Sequence, residues 1–521
     1  MSLKQKCAVP ISALGLMLFL AISNFLGCMG TTLRKPNPIL PGDYRYLADY
    51  AEHRIRQLMH RHRLPSLAAA LIDDQDIVSQ KTAGWANLEK KIPAAANTIY
   101  KLWSVSKVFT AIETMRLVEE GRIDLNASVT DYLPDFSIQN RFPDSGPITV
   151  RSILAHHSGL PRNHCHTIAF RPGDREGLGE MVKSMKYGHM AFPVGRRFKY
   201  SNIGPDMLGC MIQELRDESF ARRMKENLLA PLGMENSAFL SAELPAQRDI
   251  ALGYEYYKGK YYPYPQGDVI GLPSGNLYST IEDMCNFVKF IFRGGEADGK
   301  QIVRPETFRR MFEDQFSNQR NPQPMGLGWK ITRALRSECM VWHDGGPSEG
   351  IGSLVALIPV DQGRFRVSHW LLKLGLARFF RLPIDLRELE IEFLAGNEKS
   401  DDVMIINIAG ISYEICPRYP DFVDIPALWQ KLAGEYELVA RLPSGLAGTD
   451  IRGHAKIWVE KGVLQVSGMV GPVWPIGDTD IVILGGPFVG ETMAYQPDTG
   501  NIYHYSVVYK PTKAELNKGK H

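Results

Sequence analysis

Cysteine pairs of the CxxC kind are missing from this 521-residue chain, and its seven cysteines (7, 28, 165, 210, 285, 339 and 416) lie scattered. That spacing excludes a disulfide scaffold and a zinc cluster. Excess charge of either sign is lacking too: 60 Lys and Arg face 57 Asp and Glu, a net +3 without a long basic stripe. A general nucleic-acid binder is thereby excluded. There is no internal repeat, no low-complexity tract and, beyond the N-terminus, no apolar run long enough to span a bilayer. What is present is an ordinary globular composition, 44% hydrophobic with Gly 47 and Pro 33. At roughly 100–200 residues per domain, two or more domains are expected.

The N-terminus is the exception to that uniformity. Lys4 and Lys6 precede an uncharged run from Ala8 to Gly27, and Cys28 follows. A short basic segment before an apolar stretch reads as a secretory signal. Its ending, Phe25-Leu26-Gly27-Cys28, resembles a bacterial lipobox, with Phe25 where leucine is usual and Cys28 as the lipidation site. An uncleaved anchor helix is the other reading, which Pro10 and Gly15 suit poorly. Both readings expect an exported, membrane-associated protein, a bacterial lipoprotein or a periplasmic one. Pro36, Pro38 and Pro41 then mark an extended tether.

Leu47, Ala51, Ile55 and Leu58 recur at helical spacing. Ser66–Ile72 and Ile77–Ala83 flank an Asp-Asp-Gln-Asp turn and read as an antiparallel hairpin. A long, mostly helical stretch is expected from Ser104 to about Phe292, and strands broken by glycines from Met340 to Val360. Helix, strands, many helices, then strands is an α+β order, an antiparallel sheet flanked by helices. From about Ala427, short runs such as Lys456–Val459, Val463–Ser467, Ile481–Leu484 and Tyr503–Tyr509 alternate with turns, the pattern of a small all-β barrel or sandwich.

The chemistry concentrates first in Leu102-Trp-Ser104-Val-Ser-Lys107. Val108, Ile112, Met115 and Val118 keep helical intervals and Gly121 is a stop signal, so a helix begins near Ser104. Ser104 and Lys107 then share a face. A serine hydroxyl is a weak nucleophile; a neighbouring lysine, with the positive helix N-terminus, can activate it. Alone, such a pair reads equally as a capped helix. It is joined by Tyr200-Ser201-Asn202 and by His343-Asp344-Gly345-Gly346.

Ser-x-x-Lys, Tyr-x-Asn and His-x-Gly, in that order, resemble the serine β-lactamase and penicillin-binding-protein superfamily, nearest its class C-like branch of esterases, DD-peptidases and D-aminopeptidases. Ile148-Thr-Val-Arg-Ser-Ile-Leu-Ala-His-His-Ser-Gly-Leu-Pro161, Pro231-Leu-Gly-Met234, Ser274-Gly-Asn-Leu-Tyr-Ser-Thr-Ile-Glu-Asp283 and Gly326-Leu-Gly-Trp329 are similar to further family segments. The resemblance implies a β-lactamase/transpeptidase-like α+β fold with an all-helical subdomain, followed by the small C-terminal barrel-like domain. The expected bounds are a signal at 1–28, a tether at 29–41, a catalytic domain at 42–400, a linker at 401–426 and a β domain at 427–515.

It also implies roles. Ser104 would be acylated, with Lys107 as its proton partner. Tyr200 would be general base and then acid, which a tyrosine of reference pKa about 10 can be only beside cations. Asn202, His343 and Gly345 would face the substrate, and the amides of Ser104 and Gly346 would form the oxyanion hole. Where lactamases often carry lysine, His343 is mostly neutral at pH 7, which tilts the reading toward esters or peptides; DD-peptidases of the family also carry His-x-Gly, so the tilt is modest. The expectation is an exported serine hydrolase acting through a Ser104 acyl-enzyme on small esters or amide and D-peptide substrates, needing no metal or organic cofactor. A β-lactamase, or a non-catalytic penicillin- or cell-wall-binding lipoprotein, are the alternatives. The partners expected are an ester, peptide or β-lactam substrate and a membrane, not nucleic acid.

Three signals count for less. Gly346-Pro-Ser348-Glu-Gly350 matches a nucleophile elbow but is followed by a strand-like run, not a helix. His164-Cys165-His166, near His156-His157, lacks a supporting acidic ligand, and these read as loop and structural histidines. Cys210 and Cys285 lie in apolar helical contexts and read as buried thiols. Leu371–Leu382, basic and apolar, reads as the helix that closes the sheet, with a surface that touches membrane as the other reading.

Overall fold

In the computed structural model, residues 44–163 and 177–346 are described, short of 141, 143, 189, 247–248, 258, 265–266, 270, 317–323 and 334–338. Beyond them the description covers 352–360 except 358, 364–365, 390–394, 403–408, 411–417, 432–441, 450–460, 463–466, 471–475, 480–483, 492–496, 500–504 and 507–512. Cys28, His164–His166, Ser348 and the run 371–382 lie outside these residues. Two compact units emerge: 1–123 with 212–314 and 325–383, and 124–211 with 315–324 and 384–521.

The first unit begins with α1 (Arg45–His62), whose Ile55 is buried, and a hairpin of β1 (Ser66–Asp73) and β2 (Asp76–Asn87). The register runs from Ser66 opposite Gly84 to Asp73 opposite Asp76, so the turn is the Asp74-Gln75 pair. The unit's central element is α2 (Ser106–Glu119), buried nearly all round: Val108, Phe109, Ile112, Met115 and Leu117 are fully enclosed. A helix without a wet face must satisfy its polar side chains internally. Glu113 accordingly bridges Arg116 at 2.7 Å and Arg223 at 2.8 Å. Phe109 stacks on Phe287 of α3 (Ile281–Phe292) with centroids 4.2 Å apart, and Thr280 caps α3 by accepting the Asp283 amide proton. After α4 (Pro305–Phe312) come β3 (Lys330–Arg333), β4 (Cys339–Gly345) and β5 (Ser353–Leu357), an antiparallel sheet with β4 in the middle. Lys330 pairs with Trp342 and His343 with Val355. Gly328 precedes this sheet at φ +82, where a Cβ would overlap that of Ala111 on α2. The Gly-Leu-Gly-Trp turn therefore needs its second glycine for both conformation and contact.

Among the described residues of 124–211, the second unit's regular structure is helical, as in Val150–Leu154, Gly177–Ser184 and the start of Ile203–Arg216. Thr149 and Ser152 form a capping box on the first of these, each side chain taking the other's backbone proton. Farther along, Glu390–Leu394, Val403–Ile408 and Ile411–Pro417 form a three-stranded antiparallel sheet. The expected linker at 401–426 thus contains two strands, a correction with a local cause. Val-Met-Ile-Ile-Asn-Ile and Ile-Ser-Tyr-Glu-Ile are β-branched runs separated by Ala409-Gly410, a hairpin signal that the charged stretch before them obscures. Last, eight antiparallel strands from Gly434–Arg441 to Val507–Pro511 pair in sequence order, and the last pairs back onto the first to close a barrel. The run expected as one strand over 503–509 is divided between Asn501–His504 and Val507–Pro511, which pair with each other.

Candidate active site

Ser104 occupies a single 3-10 turn, Trp103–Val105, that feeds into α2. Trp103 has φ +50, left-handed backbone that a bulky side chain rarely adopts. Such strain costs of order 1–3 kcal/mol and persists only where the surroundings enforce it. They do so here. The Leu102 amide donates to Leu277 O at 2.7 Å, the Leu277 amide donates back to Ser106 Oγ at 2.9 Å, and Ser106 Oγ donates to Trp103 O.

Lys107, one turn on, is almost wholly buried. Its Nζ donates to Ser104 Oγ at 3.0 Å and to Ser274 O at 2.6 Å. Thr110 Oγ1 donates to Pro273 O at 2.7 Å. The short helical turn Leu272–Gly275 thus turns its carbonyls onto α2 and fixes the ammonium against Ser104 Oγ. An ammonium donates and cannot accept, so Lys107 stabilises negative charge on Oγ while the Ser104 proton is left for another acceptor.

The end of β4 presses on the same turn. A Cβ at Gly345 would overlap Leu102 O and come within 2.8 Å of Ser104 N. Only glycine lets this strand end approach the serine so closely. Ser353 on β5 adds a bond from its hydroxyl to Leu102 O. Gly346 follows directly and is half-buried.

His343 is completely buried, and its Nδ1 lies 2.7 Å from Asp344 O. A carbonyl only accepts, so Nδ1 carries the proton and Nε2 is the basic nitrogen. Burial, then the charges of Lys330 and Lys107, hold its pKa well below the usual histidine range, against the raising effect of that bond. The imidazole is neutral at pH 7 and offers no fixed charge. Lys330 forms an ion pair with Asp344 and lies 4.7 Å from the Trp342 ring.

A second buried cation sits beside the serine turn. Lys101 Nζ donates to Gly267 O at 2.7 Å and lies 4.7 Å from the Trp103 ring and 5.3 Å from that of Tyr278. Burial lowers its pKa to about 8, partly opposed by Asp268. Neither Lys101 nor the Ser274 carbonyl stands out in the sequence. Ser274-Gly-Asn is visible as a family-like segment, but a carbonyl has no residue signature.

Tyr200 and Asn202 belong to the second unit. The Tyr200 ring lies 4.5 Å from that of His156 and 5.3 Å from the Arg162 guanidinium. Ser201 donates its amide to His156 Nδ1 at 3.2 Å and its hydroxyl to Pro161 O at 2.8 Å. The Asn202 amide reaches Arg162 O at 2.7 Å and its side chain Asn163 Oδ1 at 2.6 Å. The first unit therefore gathers Ser104, Lys107, His343 and Gly345; the second holds the Tyr-x-Asn segment in a bonded frame of its own. His156 and His157 are both buried, the latter stacked on Phe316 at 4.7 Å. Cys210 and Cys285 are buried, and burial pushes the Cys285 thiol up to about 11. Among the described residues, no three His, Cys, Asp or Glu side chains are placed to hold a metal ion.

The family model described as Beta-lactamase matches residues 51–383. Protein flp of Staphylococcus aureus (strain MW2) is 24% identical over 308 residues, 58% of this chain and 58% of that protein. Beta-lactamase-like protein 2 of Dictyostelium discoideum is 29% identical over 242 residues, 45% of this chain and 44% of that protein. The match spans only about half the length of these curated relatives, 58% of the first and 44% of the second. Among solved structures, the octameric penicillin-binding protein homologue from Pyrococcus abyssi shares the fold, with TM-score 0.50 and 22% identity over 80% of this chain and 97% of that one.

Proposed function

We propose that this chain, which belongs to the Beta-lactamase family, is a serine hydrolase that turns over small esters or amides, D-amino-acid peptides among them, through an acyl-enzyme on Ser104. The observation that carries the reading is the buried Lys107 ammonium, 3.0 Å from Ser104 Oγ and anchored by Ser274 O. Its charge stabilises the serine oxygen as the hydroxyl proton leaves. Tyr200 is assigned that proton on the strength of its Tyr-x-Asn motif. Oγ then bonds to the substrate carbonyl carbon, and the amides of Ser104 and Gly346 receive the developing oxyanion. Collapse breaks the bond to the leaving alcohol or amine, which takes the proton from Tyr200. Water repeats the sequence on the acyl-serine and releases the acid.

The neutral His343 supports esters or peptides over substrates selected by a carboxylate, since it brings no permanent cation to the strand beside the serine. The basic and apolar N-terminal run supports export, and Phe25-Leu26-Gly27-Cys28 supports lipid attachment at Cys28. Rates for p-nitrophenyl acetate, a D-alanyl-D-alanine peptide and nitrocefin, measured on the full-length protein in detergent, test the substrate assignment. The ester or the D-peptide is expected to turn over fastest. Lys107→Met is expected to lower that rate by about 10²–10³-fold, the usual worth of a preorganised donor to developing negative charge. Preference for nitrocefin would instead make the protein a β-lactamase. Acylation that stalls without turnover would make it a penicillin-binding lipoprotein.

A further inference from the structure

His156 stands where a helix ends, and its backbone is unusual. Helix Val150–Leu154 closes on Ala155; the His156 amide then bonds Ile153 O at 3.0 Å and the His157 amide bonds Ser152 O at 2.7 Å. Those two bonds define a Schellman cap, and His156, at φ +56, fills its left-handed position. Glycine is the usual residue there because it has no Cβ to strain. As a cap, then, histidine is a poor choice, although it enters this region more readily than most residues.

What the histidine adds is directed at one segment. Its Nδ1 accepts the Ser201 amide proton at 3.2 Å, and its ring lies 4.5 Å from the Tyr200 ring at 37°. Its carbonyl takes the Lys199 amide proton at 2.7 Å. Phe198 meets the imidazole edge-on at 5.8 Å, which fixes the ring's tilt. One residue thus holds the backbone on both sides of Tyr200 and sets a plane against its phenol.

We infer that His156 is the positioning residue of Tyr200, its side chain retained at a glycine-type position to hold the proton-carrying phenol in place. The inference rests on the base reading of Tyr200, and the variants separate the two. His156→Gly supplies what the cap itself prefers while removing both the acceptor and the ring. His156→Asn keeps an acceptor, Oδ1, where Nδ1 stood, on a residue that tolerates left-handed backbone.

The test is p-nitrophenyl acetate turnover by the full-length protein, normalised to active sites counted by end-point fluorophosphonate titration, with thermal midpoints alongside. His156→Gly relieves the left-handed strain but leaves a cavity and an unpaired Ser201 amide, so its midpoint is expected to fall by a few degrees. Per titrated active site it is expected to lose about tenfold or more in kcat with KM changed less than about threefold. His156→Asn is expected to recover most of that loss. In a Tyr200→Phe background the glycine change should cost less than about twofold, because the group it positions is gone. His156→Gly with parental kcat would overturn the inference, as would an equal loss in both backgrounds. Parental turnover by Tyr200→Phe alone would remove the base reading, and the inference with it.

Discussion

A histidine with no water around it titrates in the unfolded chain long before it does so in the fold. His343 is fully buried with two lysines nearby, and its pKa lies well below the unfolded value of about 6.5. As pH falls through 6.5 the unfolded chain takes up a proton that the folded chain refuses. The unfolded state therefore binds more protons in that window, and stability declines with acid. Between pH 7 and 5 the thermal midpoint of the parent is expected to fall more steeply than that of His343→Asn; parallel slopes would show that His343 is not the group responsible. Ser104 and Lys107 were legible at this scale because a spacing of three on a helical turn is a local property. Their support was not. Ser274 reaches Lys107 across 167 residues through a backbone oxygen, which no side-chain pattern announces.

At the scale of elements, the serine turn is held between α2 and the end of β4, and Gly345 sets their distance. Gly345→Ala forces the strand away from the Ser104 amide. About 10²-fold loss in kcat/KM is expected from so small a displacement of catalytic groups, with roughly 1–3 kcal/mol of destabilisation from the overpacking. A chemical denaturation series beside the kinetics measures both, and an alanine variant with parental kcat/KM would mean that the close approach is not needed. The β1–β2 hairpin was readable because two apolar runs flank an acidic turn, and α2 because its apolar residues keep helical intervals up to the Gly121 stop. Two features were not. The helix near Ser104 opens with a 3-10 turn, closed by the Val105 amide on Leu102 O and braced by the Ser106 hydroxyl on Trp103 O. The sheet within 401–426 is preceded by so many charges that its short β-branched runs resemble a solvated connection.

For the whole molecule, the order of motifs gave the family before any coordinate did, whereas the interleaving of the units did not show. Residues 315–324 group with 124–211 although some hundred residues of the other unit intervene, and long-range contacts of this kind carry no local signal. At this scale too lies the export reading. Cys28→Ala is expected to abolish incorporation of a labelled fatty acid by bacteria expressing the full chain and to release it from the membrane fraction; labelling that survives the substitution would remove Cys28 as the attachment point. The central claim, an activated Ser104, is reached most directly by the intact mass of the full-length protein after a fluorophosphonate, beside that of Ser104→Ala. One adduct on the parent and none on the variant is the expected result. An unmodified parent would contradict the hydrolase reading, and an adduct that persists on the variant would move the nucleophile elsewhere, with Ser348 the first residue to replace.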